Sequence, residues 1–259
     1  MLLGLVLAVP LGISLSQGAG RFGELVSDPM LLKVAGTTGA FAAASVSLEI
    51  LLGLLFALVL HRTFRLRGWV RAVALLPWAL PTAVMAMSWR WIFNDTYGVA
   101  NDLPLRLGLL REPIAWLGRP ATAFAALVAA DVWKTTPFVT LILLAGLQSI
   151  PRDLHEAMEV DGAGPVRRFF WITLPMLRPA IAVALTFRLI QALGIFDLVW
   201  VMTGGGPADS TKTVSLYVYD HAFRYLDGGY GAALTCAAAA AFFAVAAGAG
   251  ALARGRARA

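Results

Sequence analysis

Glu49, Asp131, Lys134, Arg188 and Asp197 lie inside otherwise apolar stretches of this chain, and Arg90 lies near the end of another. A charge inside a membrane helix costs about 2.5–3.5 kcal/mol on insertion scales, so it faces protein or water and often marks a path. Asp131 and Lys134 are three residues apart and can pair on one helix face. Glu49 and Arg188 fall at similar depth in their segments and can pair between helices. Such pairs either lock helices together or line a route for a polar solute. Company favours the second role for Lys134 and Arg188. Trp133, Thr135 and Phe138 surround Lys134, and Gln191 follows Arg188 by one helical turn. The hydroxyls of a polar solute need hydrogen-bond partners, and its C–H faces need a flat aromatic. Trp133, Lys134, Thr135, Phe138, Arg188 and Gln191 are therefore the candidate path residues. Pro137 can kink their segment and free backbone groups, which is tolerable only beside a cavity.

Other chemistry lacks its parts. The sequence has no H-E-x-x-H, no paired histidines, no C-x-x-C and no Walker phosphate loop. Cys236 is the only cysteine, so neither a disulfide framework nor a thiolate metal site is available. His61, His155 and His221 fall in or beside polar connections. No catalytic residue and no metal ligand is assigned, and an enzyme is not expected.

A second constellation runs from Asp153 to Pro179, between two apolar segments. Asp153 is a candidate N-cap for a short helix through Val160, with Glu156 and Glu159 near its positive end. Asp161-Gly162-Ala163-Gly164 then breaks the helix, because glycine accepts positive φ without steric cost. Pro165 suits the first turn of a second short helix, expected to run to Pro175. A helix-turn-helix at a membrane surface is a docking element.

These residues resemble the EAA loop of ABC importer permeases: Glu156-Ala157, Gly162 six positions later, and Ile172-x-Leu174-Pro175. Met158 departs from the pattern, which has a second alanine there. The resemblance implies that Glu156, Ala157, Asp161, Gly162 and Pro175 form the coupling site for an ATPase subunit. Three further segments resemble the sugar-importer branch of the family: Asp131 to Phe138, Leu144 to Pro151, and the G-G-P-x-x-x-T stretch beginning at Gly205 with the aromatic run that follows. They look most like the first of the two dissimilar permease subunits of maltose/trehalose-type importers.

The elements that must carry these residues are apolar helices. Of 259 residues, 59% are apolar and 14% charged, against about 25% charged in a soluble domain. Apolar stretches fall at Met1–Leu15, Val34–Leu60, Trp69–Phe93, Ala121–Leu147, Ala180–Thr203 and Gly229–Ala253. All but the first reach the ~20 residues a spanning helix needs. The first lacks the basic n-region of a cleaved signal peptide and reads as a span with a trimmed or misassigned start. Asn94–Pro120 reads as a loop, and Thr211–Tyr225 as a short interfacial helix after a Gly-Pro stop. The expected fold is all-α and polytopic, with about six transmembrane helices. Residues 1–33 hold the short span and an outer connection, 34–253 the core with its coupling loop at 148–178, and 254–259 a basic tail.

Charge orients the chain. Arg62, Arg65, Arg67, Arg71, Arg152, Arg167, Arg168, Arg178, Arg254, Arg256 and Arg258 fill three connections, against seven basic residues in the alternate three. The positive-inside rule places the docking loop and the C-terminus in the cytoplasm. Trp89, Trp91, Trp116 and Trp200 then mark the opposite interface. The +6 net charge thus serves topology, and nucleic acid is not an expected partner.

Together with the resemblance, this predicts a permease subunit in the inner membrane of a prokaryote, for a sugar or oligosaccharide such as trehalose or maltose. The implied partners are a second permease, two ATP-binding subunits, an extracytoplasmic solute-binding protein or lipoprotein, and membrane lipid. The chain itself needs no cofactor, since ATP and Mg belong to the ATPase subunits. A permease for glycerol-phosphate or another polar solute is the alternative. An ion-coupled secondary transporter could use Glu49, Asp131 and Asp197, but has no need of the docking element.

Overall fold

A computed structural model describes residues 12, 14–18, 20–61 and 67–255. Most of the Met1–Leu15 segment, and Arg62, Arg65, Arg256 and Arg258, lie outside the described residues. Every regular element among those described is helical. After a short α1 (Phe22–Val26), α2 runs from Pro29 to His61. It is followed by α3 (Arg67–Ala74), α4 (Leu76–Ala79), α5 (Thr82–Ile92) and α6 (Val99–Arg106). Next come α7 (Pro120–Gln148), α8 (Arg152–Val160), α9 (Pro165–Arg168) and α10 (Leu174–Leu193). The last are α11 (Asp197–Met202), α12 (Val214–Tyr219) and α13 (Gly228–Gly255).

Among the described residues, four segments are long and apolar enough to cross a membrane: Pro29–His61, Pro120–Gln148, Pro165–Leu193 and Gly228–Val245. Two expected boundaries change. Trp69–Phe93 is not one helix but α3, α4 and α5, separated at Leu75 and again at Leu80-Pro81. Pro77 and Pro81 explain the interruptions, because proline lacks an amide donor and disfavours helix in the residue before it. The expected Ala180–Thr203 span begins earlier and ends at Leu193, with α11 resuming after Gly194-Ile195-Phe196. The expected loop at Asn94–Pro120 holds α6, whose internal Pro104 hid it from a reading of breakers.

The chain divides into two compact units, with α2, α7, α10 and α13 contributing residues to both. One comprises Met1–Ala43, Pro81–Ala130 and Gln191–Val245. Val34, Val214, Tyr217, Tyr230 and Leu234 form a core within it. Its segment after α11 is tightly tied: the Thr211 hydroxyl donates to the Gly206 carbonyl at 2.7 Å, and the Lys212 ammonium pairs with Asp209 at 2.8 Å and Asp220 at 3.0 Å. Burial pushes the Lys212 pKa down, but the two carboxylates outweigh it and hold the group above its ordinary range. A helix is present within the expected Thr211–Tyr225 segment, as α12 continued by a π turn at Asp220–Arg224.

The other unit comprises Ala44–Leu80, Asp131–Ile190 and Ala246–Ala259. Its apolar core joins Ala57 and Leu60 of α2, Val139, Leu143, Leu144 and Leu147 of α7, and Leu177 and Ala184 of α10, with Ile150 and Ile172 from the docking segment. The close approach of α7 to α10 depends on Gly146. A Cβ there would lie 2.6 Å from Ala180 Cβ and 3.0 Å from Leu177 Cδ2. Gly146→Leu should therefore destabilise the packed pair by about 1–3 kcal/mol, the usual cost of overpacking. A fall in the midpoint of thermal unfolding in detergent would register it, and an unchanged midpoint would mean that the helices shift freely.

Candidate functional site

The docking segment is built by local chemistry. Pro151, not Asp153, caps α8, and Asp153 falls in its first turn. The helix starts two residues earlier than expected because Pro151 supplies a preset φ at the boundary. Glu159 lies at the opposite end from that expected, and it accepts a 2.5 Å hydrogen bond from Arg168 Nη1. This pair clasps α8 to α9 across the turn. The turn is a Schellman motif: Gly162 N–H donates to the Glu159 carbonyl at 3.0 Å, and Ala163 N–H to the Met158 carbonyl at 2.9 Å. Gly162 has φ +76°, the left-handed conformation the motif requires. Glu156, Ala157, Asp161 and Gly162 are all exposed, beside the exposed apolar side chains of Leu154, Val160 and Val166. Ala163 is buried and anchors the turn.

The second helix does not stop at Pro175. α9 passes through a π turn at Phe169–Thr173 directly into α10, with Pro175 as its second residue. Pro175 offers no amide proton to the carbonyl four residues back. The π turn shifts the preceding hydrogen bond, Leu174 N–H donating to the Phe169 carbonyl. The chain is thus carried past the proline without a break. α9 and the membrane helix α10 are consequently one continuous rod.

Within the same unit, three helices meet in a polar cluster. Arg188 of α10 is 2% exposed and Glu49 of α2 is fully buried. Arg188 grips Glu49 with two donors: Nε bonds to Oε2, and Nη2 lies 2.8 Å from Oε1. The same Nη2 lies 2.9 Å from Asp131 Oδ2 on α7. Ser45, one turn before Glu49, places Oγ 2.7 Å from Glu49 Oε1 and 2.5 Å from Asp131 Oδ2. Thr135, one turn after Asp131, places Oγ1 2.6 Å from Glu49 Oε1 and 2.6 Å from its own i−4 carbonyl at Asp131. Residues four apart share a helix face, so S-x-x-x-E on α2 and D-x-x-x-T on α7 present matched polar pairs.

The expected Glu49–Arg188 pair is present. Asp131 contacts Ser45 and Arg188, whose guanidinium grips Glu49 and also reaches Asp131 Oδ2. The candidate path residues separate accordingly. Arg188 and Thr135 are buried in this cluster. Phe138 packs between Trp78, stacked at 5.7 Å, and Phe187, edge-on at 6.3 Å. Trp133 is 44% exposed, Lys134 half-buried and Gln191 exposed. Pro137 stays inside a continuous α7, flanked by Thr136 and Thr140 hydroxyls donating to i−4 carbonyls at 2.6 and 2.9 Å. The sequence reading missed Ser45, Trp78 and Phe187. The i,i+4 spacing of Ser45 to Glu49 was the available signal.

Comparison with known proteins gives the following likenesses. Residues 49–258 match the family model described as binding-protein-dependent transport system inner membrane component. The chain is 49% identical over 198 residues to a trehalose/maltose transport system permease protein of Thermococcus litoralis, covering 76% of this chain and 66% of that protein. It is 43% identical over 217 residues to a sulfoquinovosyl glycerol transport system permease protein of Agrobacterium fabrum, covering 84% of this chain and 70% of that protein. The chain thus spans about two thirds of the length of these relatives. Its fold matches a chain in the crystal structure of a bacterial alginate ABC transporter in complex with alginate pentasaccharide-bound periplasmic protein. That match has a TM-score of 0.84 at 22% identity and covers 96% of this chain and 88% of that one.

Proposed function

The chain belongs to the family of binding-protein-dependent transport system inner membrane components, and from that premise we propose that it forms half of the translocation path of an ATP-driven sugar importer. It is a polytopic membrane protein and not an enzyme. The favoured cargo is a disaccharide such as trehalose or maltose, supported by the 49%-identical relative. The observation that carries the mechanism is the exposed α8 with its Gly162 turn, clasped by the Glu159–Arg168 pair to α9, which runs without a break into α10. Closure of two ATPase subunits on ATP would draw this docking segment toward that of a second permease subunit. The continuous rod carries the displacement into the membrane helices and exchanges inward-facing for outward-facing states. ATP and Mg are held by the partners, and an extracytoplasmic solute-binding protein or lipoprotein delivers the cargo. Trp133, Lys134, Phe138 and Gln191 remain the residues assigned to the path.

A second reading has its own support. The relative from Agrobacterium fabrum is described as a permease for sulfoquinovosyl glycerol, an anionic glycoside. The half-buried Lys134 would suit a negatively charged cargo of this kind.

Topology offers the first test. With Cys236 replaced by alanine, Val160→Cys on α8 should react with a membrane-impermeant thiol reagent only after cell lysis. Glu112→Cys should react in intact cells. Both side chains are exposed in the native residues. An ATP-hydrolysing protein should also copurify with the wild-type chain. Labelling of Val160→Cys from outside would invert the orientation and remove α8 as an ATPase contact.

A further inference from the structure

We infer that the cluster of Ser45, Glu49, Asp131, Thr135 and Arg188 is a closed three-way joint that makes α2, α7 and α10 move together when the docking segment is displaced. The inference rests on the importer reading above and assigns positioning residues to it.

The ties close a triangle. Arg188 to Glu49 joins α10 to α2, and Arg188 to Asp131 joins α10 to α7. Ser45 to Asp131 and Thr135 to Glu49 join α2 to α7. Each helix is held to both others, so sliding any one against a second stretches at least one charge-assisted bond. A guanidinium fork fixes angle as well as distance, which an apolar contact does not.

Stability is a poor explanation for such a group. A buried ion pair often contributes less than well-packed apolar side chains of the same volume, because two charges must leave water. The best-attested use of buried charge is to fix register between elements. Placement agrees. Arg188 lies 14 residues after Leu174, about 21 Å along the helix at 1.5 Å per residue. The apolar core of this unit lies between, from Leu177 to Ala184 on α10. That core alone holds the helices through non-directional contacts, which permit slip. The polar triangle removes that freedom at the far end of the rod.

The test opens one edge without stranding a charge. Ser45→Ala with Thr135→Val removes both hydroxyl ties between α2 and α7 and leaves Arg188 bound to both carboxylates. The purified complex, with its ATPase and solute-binding partners, would be reconstituted in proteoliposomes. Complex yield, solute uptake and ATP hydrolysis would be measured together, beside the wild type. The joint predicts a yield within about twofold of wild type and ATP consumed per solute imported raised about fivefold or more. Restoring the hydroxyls with Ser45→Thr and Thr135→Ser should recover most of the coupling. A normal ratio of ATP to solute in the double variant, at any yield, would overturn the proposal. Wild-type complex that hydrolyses ATP without importing any solute would instead count against the importer reading itself.

Discussion

Arg188→Ala should reduce the recovered complex by an order of magnitude or more. The substitution leaves Glu49 and Asp131, both buried, without the guanidinium that they share. Breaking a buried pair by removing one partner costs about 3–5 kcal/mol, because the remaining charge has neither water nor a counter-ion. Here two carboxylates are left facing one another. The effect should reverse in part when the charges leave together: Arg188→Met with Glu49→Gln and Asp131→Asn should restore much of the yield. Size-exclusion yield and thermal stability in detergent would measure both variants. Wild-type stability of the single Arg188→Ala variant would mean that water reaches the cluster. Such a result would return Arg188 to the path.

The second large effect concerns transmission rather than assembly. Gly162→Val should abolish solute uptake while leaving membrane insertion and folding of the transmembrane helices intact. Gly162 has φ +76°, and nothing lies within 4 Å of where a Cβ would stand, so backbone conformation alone decides the outcome. Left-handed backbone costs an ordinary residue roughly 1–2 kcal/mol, and for a β-branched residue it is a genuine outlier. The Schellman bonds to Glu159 and Met158 would be lost, and α8 would point elsewhere. Gly162→Asn, which tolerates this conformation better, should retain partial uptake. Uptake at the wild-type level in a well-expressed Gly162→Val complex would show that the turn does not aim the docking helix.

How far these features could be read from the sequence depended on whether their cause was local. The glycine turn after α8 was legible because its signal lies in four consecutive residues. The pairing of Glu49 with Arg188 was legible because each is costly in an apolar helix and they fall at matching depth. Asp131 was harder. Its nearest opposite charge in sequence is Lys134, and the contact from Arg188 on another helix has no local mark in the sequence. Asp153 has the right chemistry for a helix cap, but Pro151 fixed the boundary two residues sooner. Trp69–Phe93 reads as a span by hydropathy, while Pro77 and Pro81 divide it. The continuity of α9 with α10 was the least legible. Pro175 signals a stop, and only the π turn before it, a feature with no simple sequence mark, carries the helix through.

As part of the proposed importer, this chain moves a sugar across a membrane at the expense of ATP. The most direct measurement is uptake into proteoliposomes containing the complex, with the solute-binding protein on one side and Mg-ATP on the other. A panel of radiolabelled trehalose, maltose, glycerol phosphate and a sulfonated glycoside would be offered. The account predicts accumulation of one carbohydrate against its gradient, dependent on both ATP and the binding protein, and absent with Gly162→Val. Uptake driven by a proton or sodium gradient, with ATP and the binding protein both dispensable, would contradict it.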